Sequence, residues 1–170
     1  WFVRTYSDAE NSDRPITDAD TLLIVGQAGV ENATWNNRPQ QFTFVLNEVY
    51  KDAREHDPDC WEAEYRAGAL LLEKHNRSHA LEAFDAALKV NPRAADVLAA
   101  KAAAAAAALD LKVAEVLADA ALKVNPKHTA ALRAKADVFL AGGDFATAKR
   151  LLTAAKLVNP RDEATLARLA

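Results

Sequence analysis

Four prolines, Pro58, Pro92, Pro126 and Pro160, stand 34 residues apart. The segments leading into the last three nearly coincide: Ala87-Leu88-Lys89-Val90-Asn91-Pro92, Ala121-Leu122-Lys123-Val124-Asn125-Pro126 and Ala155-Lys156-Leu157-Val158-Asn159-Pro160. Self-similarity at a fixed period of about 20–50 residues marks stacked copies of one supersecondary unit, each too small to bury its apolar face alone. A chain built this way is read first as a solenoid or array.

Within a unit the apolar residues step by three and four, as at Ala80, Ala83, Phe84, Ala87 and Leu88. That is the period of a helix with one face toward a core. Each unit divides into two helices. In the third full unit the break is Gly142-Gly143-Asp144, because glycine takes a left-handed conformation without steric cost and Asp144 can cap the helix that follows. Asp110 and Asn76 can do the same in the second and first units. The proline cannot continue the preceding helix, but its fixed φ suits entry to the next one. Helices are predicted at about 60–75, 77–90, 93–109, 111–124, 127–141, 144–157 and from 161 onward.

Composition narrows the class further. Charged residues are 26% and apolar residues 51% of the 170, with a net charge of −3, which excludes disordered, collagen-like and strongly basic nucleic-acid-coating chains. The charge is uneven, since residues 1–59 carry 5 Lys/Arg against 11 Asp/Glu and residues 60–170 carry 16 against 13. Cys60 is the only cysteine, so no intrachain disulfide can form and the redox compartment stays open between cytoplasm and bacterial envelope. The longest apolar stretch, Ala102 to Leu109, falls far short of the roughly 20 residues that cross a bilayer. The chain starts at Trp1 and contains no methionine, and it reads as a piece of a longer protein.

The repeated words resemble the tetratricopeptide repeat, a 34-residue helix-turn-helix unit marked by aromatic, glycine, alanine and proline positions. Residues 61–94 match it at Gly68, Ala80, Phe84, Ala87 and Pro92. Residues 129–162 match at Gly143, Phe145, Ala148, Ala155 and Pro160, with Ala136 in the glycine position. Residues 95–128 keep Ala114, Ala121 and Pro126 but hold Ala102 and Ala118 where glycine and the large aromatic are usual. The segment 161–170 opens a further unit within the array 59–170. Upstream, 18–58 reads as a divergent helix pair, with Leu22, Val25, Gly26, Tyr50, Ala53 and Pro58 in place and about eight extra residues at Asn32 to Pro39. Residues 1–17 read as a linker, with Thr17 capping the first helix. The resemblance implies an all-α solenoid of antiparallel helix pairs in a right-handed superhelix.

No constellation in the sequence carries catalysis, and no cofactor is implied. His75 and His79 stand four apart, a spacing that can serve zinc, but the helix break falls between them and no third ligand follows; they read as solvated residues of a turn. His56-Asp57-Pro58-Asp59-Cys60 overlies a helix junction. Gly142-Gly143 lacks the Lys-Ser/Thr of a phosphate loop, and Ser7, Ser12 and Ser78 have no nucleophile context. Gly26 and Gly29 read as close helix contacts.

What remains is the surface that the resemblance implies. In the tetratricopeptide family the first helix of each unit lines a concave groove. The matching positions here are Glu62, Tyr65, Ala69, Leu72 and Glu73; Asp96, Ala99, Ala103, Ala106 and Ala107; and Ala130, Arg133, Asp137, Leu140 and Ala141. The carboxylate clamp of chaperone-binding members is missing, because Tyr65, Ala69, Ala99 and Ala103 occupy its places and Arg133 is the one cation. A non-catalytic scaffold follows, whose partner is a protein or peptide, or another domain of the parent chain, with an apolar or helical segment in an Ala-rich groove and with Arg133 paired to Asp137. Nucleic acid is not an expected partner, since the basic residues are interspersed with acids. Leu166 and Leu169 are expected to lie uncovered, so the chain continues or associates end to end. Ala-rich arrays behind an acidic divergent unit also resemble those joined to zinc metallopeptidase-like domains, which would make this chain the substrate-positioning region of a larger bacterial hydrolase.

Overall fold

A computed structural model describes residues 2–12 and 15–170; Trp1, Asp13 and Arg14, all in the expected linker, lie outside the described residues. The described residues are helical, without strands, and the chain divides into two compact units, Trp1–Val90 and Asn91–Ala170. The first holds α1 (Phe2–Glu10), α2 (Ala19–Trp35), α3 (Gln40–Phe44), a π-helical segment (Val45–Val49), α4 (Tyr50–His56), α5 (Trp61–Glu73) and α6 (Arg77–Val90). The second holds α7 (Ala95–Ala107), α8 (Leu111–Val124), α9 (Thr129–Ala141), α10 (Phe145–Val158) and α11 (Glu163–Leu169). Consecutive helices pair as α5 with α6, α7 with α8 and α9 with α10, and α9 also packs on α7 and α8. The architecture is the tetratricopeptide type, all-α helix pairs.

Two turns, used over and over, join these helices. The first helix of each pair ends on a left-handed residue: Asn37 at φ 51°, His75 at 62°, Leu109 at 62° and Gly143 at 80°. At each the chain closes the same way, as where Asn76 N–H reaches Leu71 C=O at 2.9 Å and His75 N–H reaches Leu72 C=O at 3.1 Å. These two bonds satisfy the carbonyls that a helix end leaves unpaired. Only Gly143 takes this conformation at no steric cost.

The second turn is set by Asn before Pro. Asn91, Asn125 and Asn159 each accept, on the side-chain oxygen, the N–H of the residue two places on, at 3.1, 3.0 and 3.1 Å. Asp57 does the same for Asp59 at 3.0 Å. The side chain thereby stands in for a backbone acceptor while proline supplies the bend. Asp110, Asp144 and Asp162 then cap α8, α10 and α11 through the N–H groups of Val113, Thr147 and Thr165.

Where the paired helices cross, one side is small and the other fills the space. A Cβ on Gly68 would sit 2.6 Å from the Phe84 ring, and one on Gly26 would overlap the Tyr50 ring. Phe84 and Tyr50 are 0% and 2% exposed. In the second unit the same positions hold Ala102 with Ala118 and Ala136 with Leu152, all buried. Ala102, Ala118 and Ala134 there form a cluster of alanines with Leu117 at its margin. Gly29 faces Phe2 and Val45 just as closely.

Three expectations need correction. Residues 1–17 are not a linker throughout, because α1 buries Phe2 and Tyr6 against Phe44, edge to face at 6.3 and 5.7 Å between ring centroids. Two aromatics four residues apart make an apolar helix stripe whatever polar residues surround them. The Tyr6 hydroxyl donates to Asp52 Oδ2 at 2.6 Å. The cap of α2 is Asp18, whose carboxylate accepts from Thr21 N–H at 2.8 Å, and not Thr17. The extra residues of 18–58 do not form one expanded loop. Asn32 to Trp35 prolong α2 to 17 residues, against 13 in α5, and the π segment carries extra chain inside its partner helix. Only Asn36 to Pro39 remain between them.

Phe84→Ala should lose about 3–5 kcal/mol of stability, as deletion of a buried aromatic does; denaturant unfolding reads this directly, and a loss below about 1 kcal/mol would contradict the packing described. Leu109→Gly should stabilise the chain by about 0.5–1 kcal/mol, because the left-handed penalty for a residue bearing Cβ outweighs the added freedom of glycine in the unfolded chain. Leu109 is 76% exposed, so no packing is given up. An unchanged or lower unfolding midpoint would show that the turn is not strained.

Candidate functional site

The expected groove residues fall in both units. In the first unit, Tyr65 is half-buried, with its ring 6.3 Å from Trp61 and 6.2 Å from Phe84. It therefore wedges the helix pair as well as facing outward. Ala69 is exposed and Leu72 half-buried. Ala69 lines a cleft of about 200 Å³ together with Gln27 and Val30 of α2 and Arg66 and Glu73 of α5. Arg66 Nη1 donates to Gln27 Oε1 at 2.6 Å. Arg133 is accordingly not the one cation on these faces. Gln27 and Val30 follow Gly26 by one and four residues, as Ala69 and Leu72 follow Gly68, so carrying the groove positions back to α2 would have found them.

In the second unit, Ala103 is exposed, whereas Ala99 and Ala106 are only 1% and 9% exposed and do not floor a groove. Ala106 packs with Ala105, Ala114 and Val138. In α7 nearly every position is alanine, so the helix can be approached closely on several sides and its inner and outer faces cannot be told apart by residue type. Leu140 is partly buried against Ala136, Ala148 and Leu152.

The charged groups of this unit pair between helices and not along one. Arg133 bonds Asp162, and Asp137 takes a two-pronged bond from Arg168, Nε to Oδ1 at 2.7 Å and Nη2 to Oδ2 at 3.0 Å. The expected Arg133–Asp137 pair is thus replaced. α11 brings a carboxylate and a guanidinium opposite each member, and a fork-to-fork bond is stronger than a bond between flexible side chains four residues apart. Asp96 is likewise met by His128 Nε2 at 3.0 Å, while His128 Nδ1 accepts the N–H of Ala131 at 3.2 Å and caps α9. Lys135 bonds Asp119.

The Asp162 carboxyl is held below the usual carboxylate range, first by the Thr165 hydroxyl and then by the Arg133 guanidinium, against the opposing effect of burial. A depressed pKa contributes stability that is full above the unfolded-state value, about 3.9, and is lost as pH falls through the lower folded value. The docking of α11 should therefore weaken below about pH 4 in the parent and lose that pH dependence in Asp162→Asn. Amide exchange in 163–169 as a function of pH checks this, and identical profiles for the two proteins would refute it.

The histidines singled out by spacing are separated: His75 sits in the left-handed turn, and His79 Nδ1 meets Asn76 Oδ1 at 2.8 Å. Among the described residues no group of three His, Cys, Asp or Glu could hold a metal ion, and no helix is long and apolar enough to cross a membrane. Cys60 is buried, which raises its thiol pKa. A cleft of about 450 Å³, lined among others by Leu46, Asn47, Arg54, Glu64 and His79, was not legible in the sequence, because the π segment that shapes it has no residue signature.

With this geometry the chain has the tetratricopeptide-type fold. PilF of Pseudomonas aeruginosa and MamA, both built of such repeats, superpose on it. PilF gives a TM-score of 0.71 at 17% identity over 89% of this chain, and the chain spans 65%, just under two-thirds, of that structure. A MamA structure gives 0.67 at 16% over 94% of this chain and 81% of its own. MamA from Desulfovibrio magneticus RS-1 gives 0.68 at 17% over 95% and 85%. No family model and no curated protein matches the sequence.

Proposed function

We propose that the chain is a non-catalytic scaffold that binds a peptide or helical segment, from another protein or from another part of its own parent, along the first-helix faces of its repeats. The observation that carries this reading is the exposed Ala103 on α7, in a unit whose neighbouring Asp96, Arg133 and Asp137 are already engaged by protein partners. A ligand meets small apolar surface there, and its charges find no open counter-charge on those three residues. Helical segments with apolar anchors at i, i+3, i+4 and i+7 suit such a surface. The scaffold also self-associates end to end through its last helix, α11, where Leu166 is exposed.

A peptide-display library of amphipathic helices, screened against the purified chain, tests the ligand class. Ala103→Gln should abolish capture of the selected peptides while leaving the thermal midpoint within a few degrees, and Arg66→Ala should reduce it only modestly. Selection of peptides bearing a required terminal carboxylate, with binding lost in Arg66→Ala and kept in Ala103→Gln, would overturn the reading.

A further inference from the structure

The outer face of α8 departs from the other copies of the repeat. Val113 and Val116 are 45% and 69% exposed, and the half-buried Ala120 continues their line at helical steps of three and four. One period before and after Val113 stand His79 and Thr147, and around Val116 stand Glu82 and Arg150. Two outward positions that are polar in the neighbouring copies are valine in this one. An apolar stripe kept in water where the sister helices are polar marks a contact with another polypeptide.

The charges beside the stripe say what covers it. Lys112 is exposed, at a position that holds Ser78 and Ala146 in the other copies. Asp119 is half-exposed, and Lys135 of α9 bonds its Oδ1. Lys112 and Asp119 are seven residues apart, so two turns of helix bring them to the same flank of the valine stripe. A two-fold axis across the middle of α8 sets an identical helix antiparallel to the first and brings like flank against like flank. Lys112 then comes level with Asp119 of the second copy, and Asp119 with its Lys112, while Val113 meets Val116 in both directions. A parallel pairing would put Lys112 opposite Leu117 and leave both charges unanswered. The stripe and its charges complement themselves, and such complementarity selects the partner and fixes its orientation.

We propose that two copies of this chain pair antiparallel through the outer faces of their α8 helices, Val113 of each against Val116 of the other, with reciprocal Lys112–Asp119 ion pairs alongside. One pair of 14-residue helices stands at the low end of interface sizes, so the dimer forms at high concentration and dissociates readily. A two-fold contact closes on itself at two chains. It is independent of the ligand on the first-helix faces and of the end-to-end contact through α11, which lies on another helix.

Sedimentation from low micromolar to near-millimolar tests it in a Leu166→Lys chain, where the end-to-end contact is removed. This chain should still reach a dimer and nothing larger, and high salt should weaken the dimer several-fold by screening the ion pairs. Adding Val113→Thr and Val116→Arg, the residues that the following copy carries at these positions, should make it monomeric, with an unchanged circular-dichroism melting curve showing that the fold is kept. In the otherwise unaltered chain, Val113→Cys and Val116→Cys variants should cross-link to each other on mild oxidation much faster than either does to itself; Cys60 is buried and does not compete. A Leu166→Lys chain monomeric at every concentration would overturn the α8 pairing, as would a dimer that survives the two valine substitutions. Cysteines that link best to their own kind would overturn the antiparallel register. A parent chain that stops at the same dimer as Leu166→Lys would support the pairing and overturn the end-to-end contact alone.

Discussion

The crossing point of each helix pair sets the terms for the rest of the structure. At Gly26 and Gly68 the first helix presents no side chain, so the ring of Tyr50 or Phe84 lies against its backbone. That contact fixes how near the two helices come and hence which neighbouring residues reach the interior. In the second unit alanine faces alanine or leucine instead, at Ala102–Ala118 and Ala136–Leu152. The helices still pair, because the requirement is a small residue on one side and a filled space between, and close-packed interiors tolerate a change on one side only when the other follows.

The turns make this contact repeat. A left-handed residue at 37, 75, 109 and 143 and an Asx turn at 57, 91, 125 and 159 return the chain with the same geometry each time. That the left-handed place is filled by Asn, His and Leu as well as Gly shows that the surrounding hydrogen bonds and packing outweigh the local preference. Such a penalty is of order 1–2 kcal/mol per residue, small against the burial of a whole helix face.

Function follows from what this arrangement leaves unoccupied. Charged side chains on the first-helix faces of the second unit are absorbed in bonds between successive helices, such as Arg133 with Asp162 and Asp137 with Arg168. They hold α11 in register and are not held in reserve for a ligand. In the function proposed above, the small exposed surface at Ala103 is where another polypeptide is accommodated.

The sequence by itself determined the period, the helices from residue 61 onward, the buried places of Tyr50 and Phe84 and the caps at Asp110 and Asp144. Each depends on a local rule, a spacing or a turn residue, that acts within a few positions. Only the tertiary structure decided that Phe2 and Tyr6 form a helix against Phe44, since their partner lies some forty residues away. It alone decided that α2 lengthens and its partner takes a π segment, that Ala99 and Ala106 turn inward, and that Arg133 prefers Asp162 to Asp137. An alanine-rich helix has no sidedness of its own, and a charged residue cannot choose between partners until the neighbouring helix is in place. Those choices are made by what packs against each residue, which repeat spacing alone does not encode.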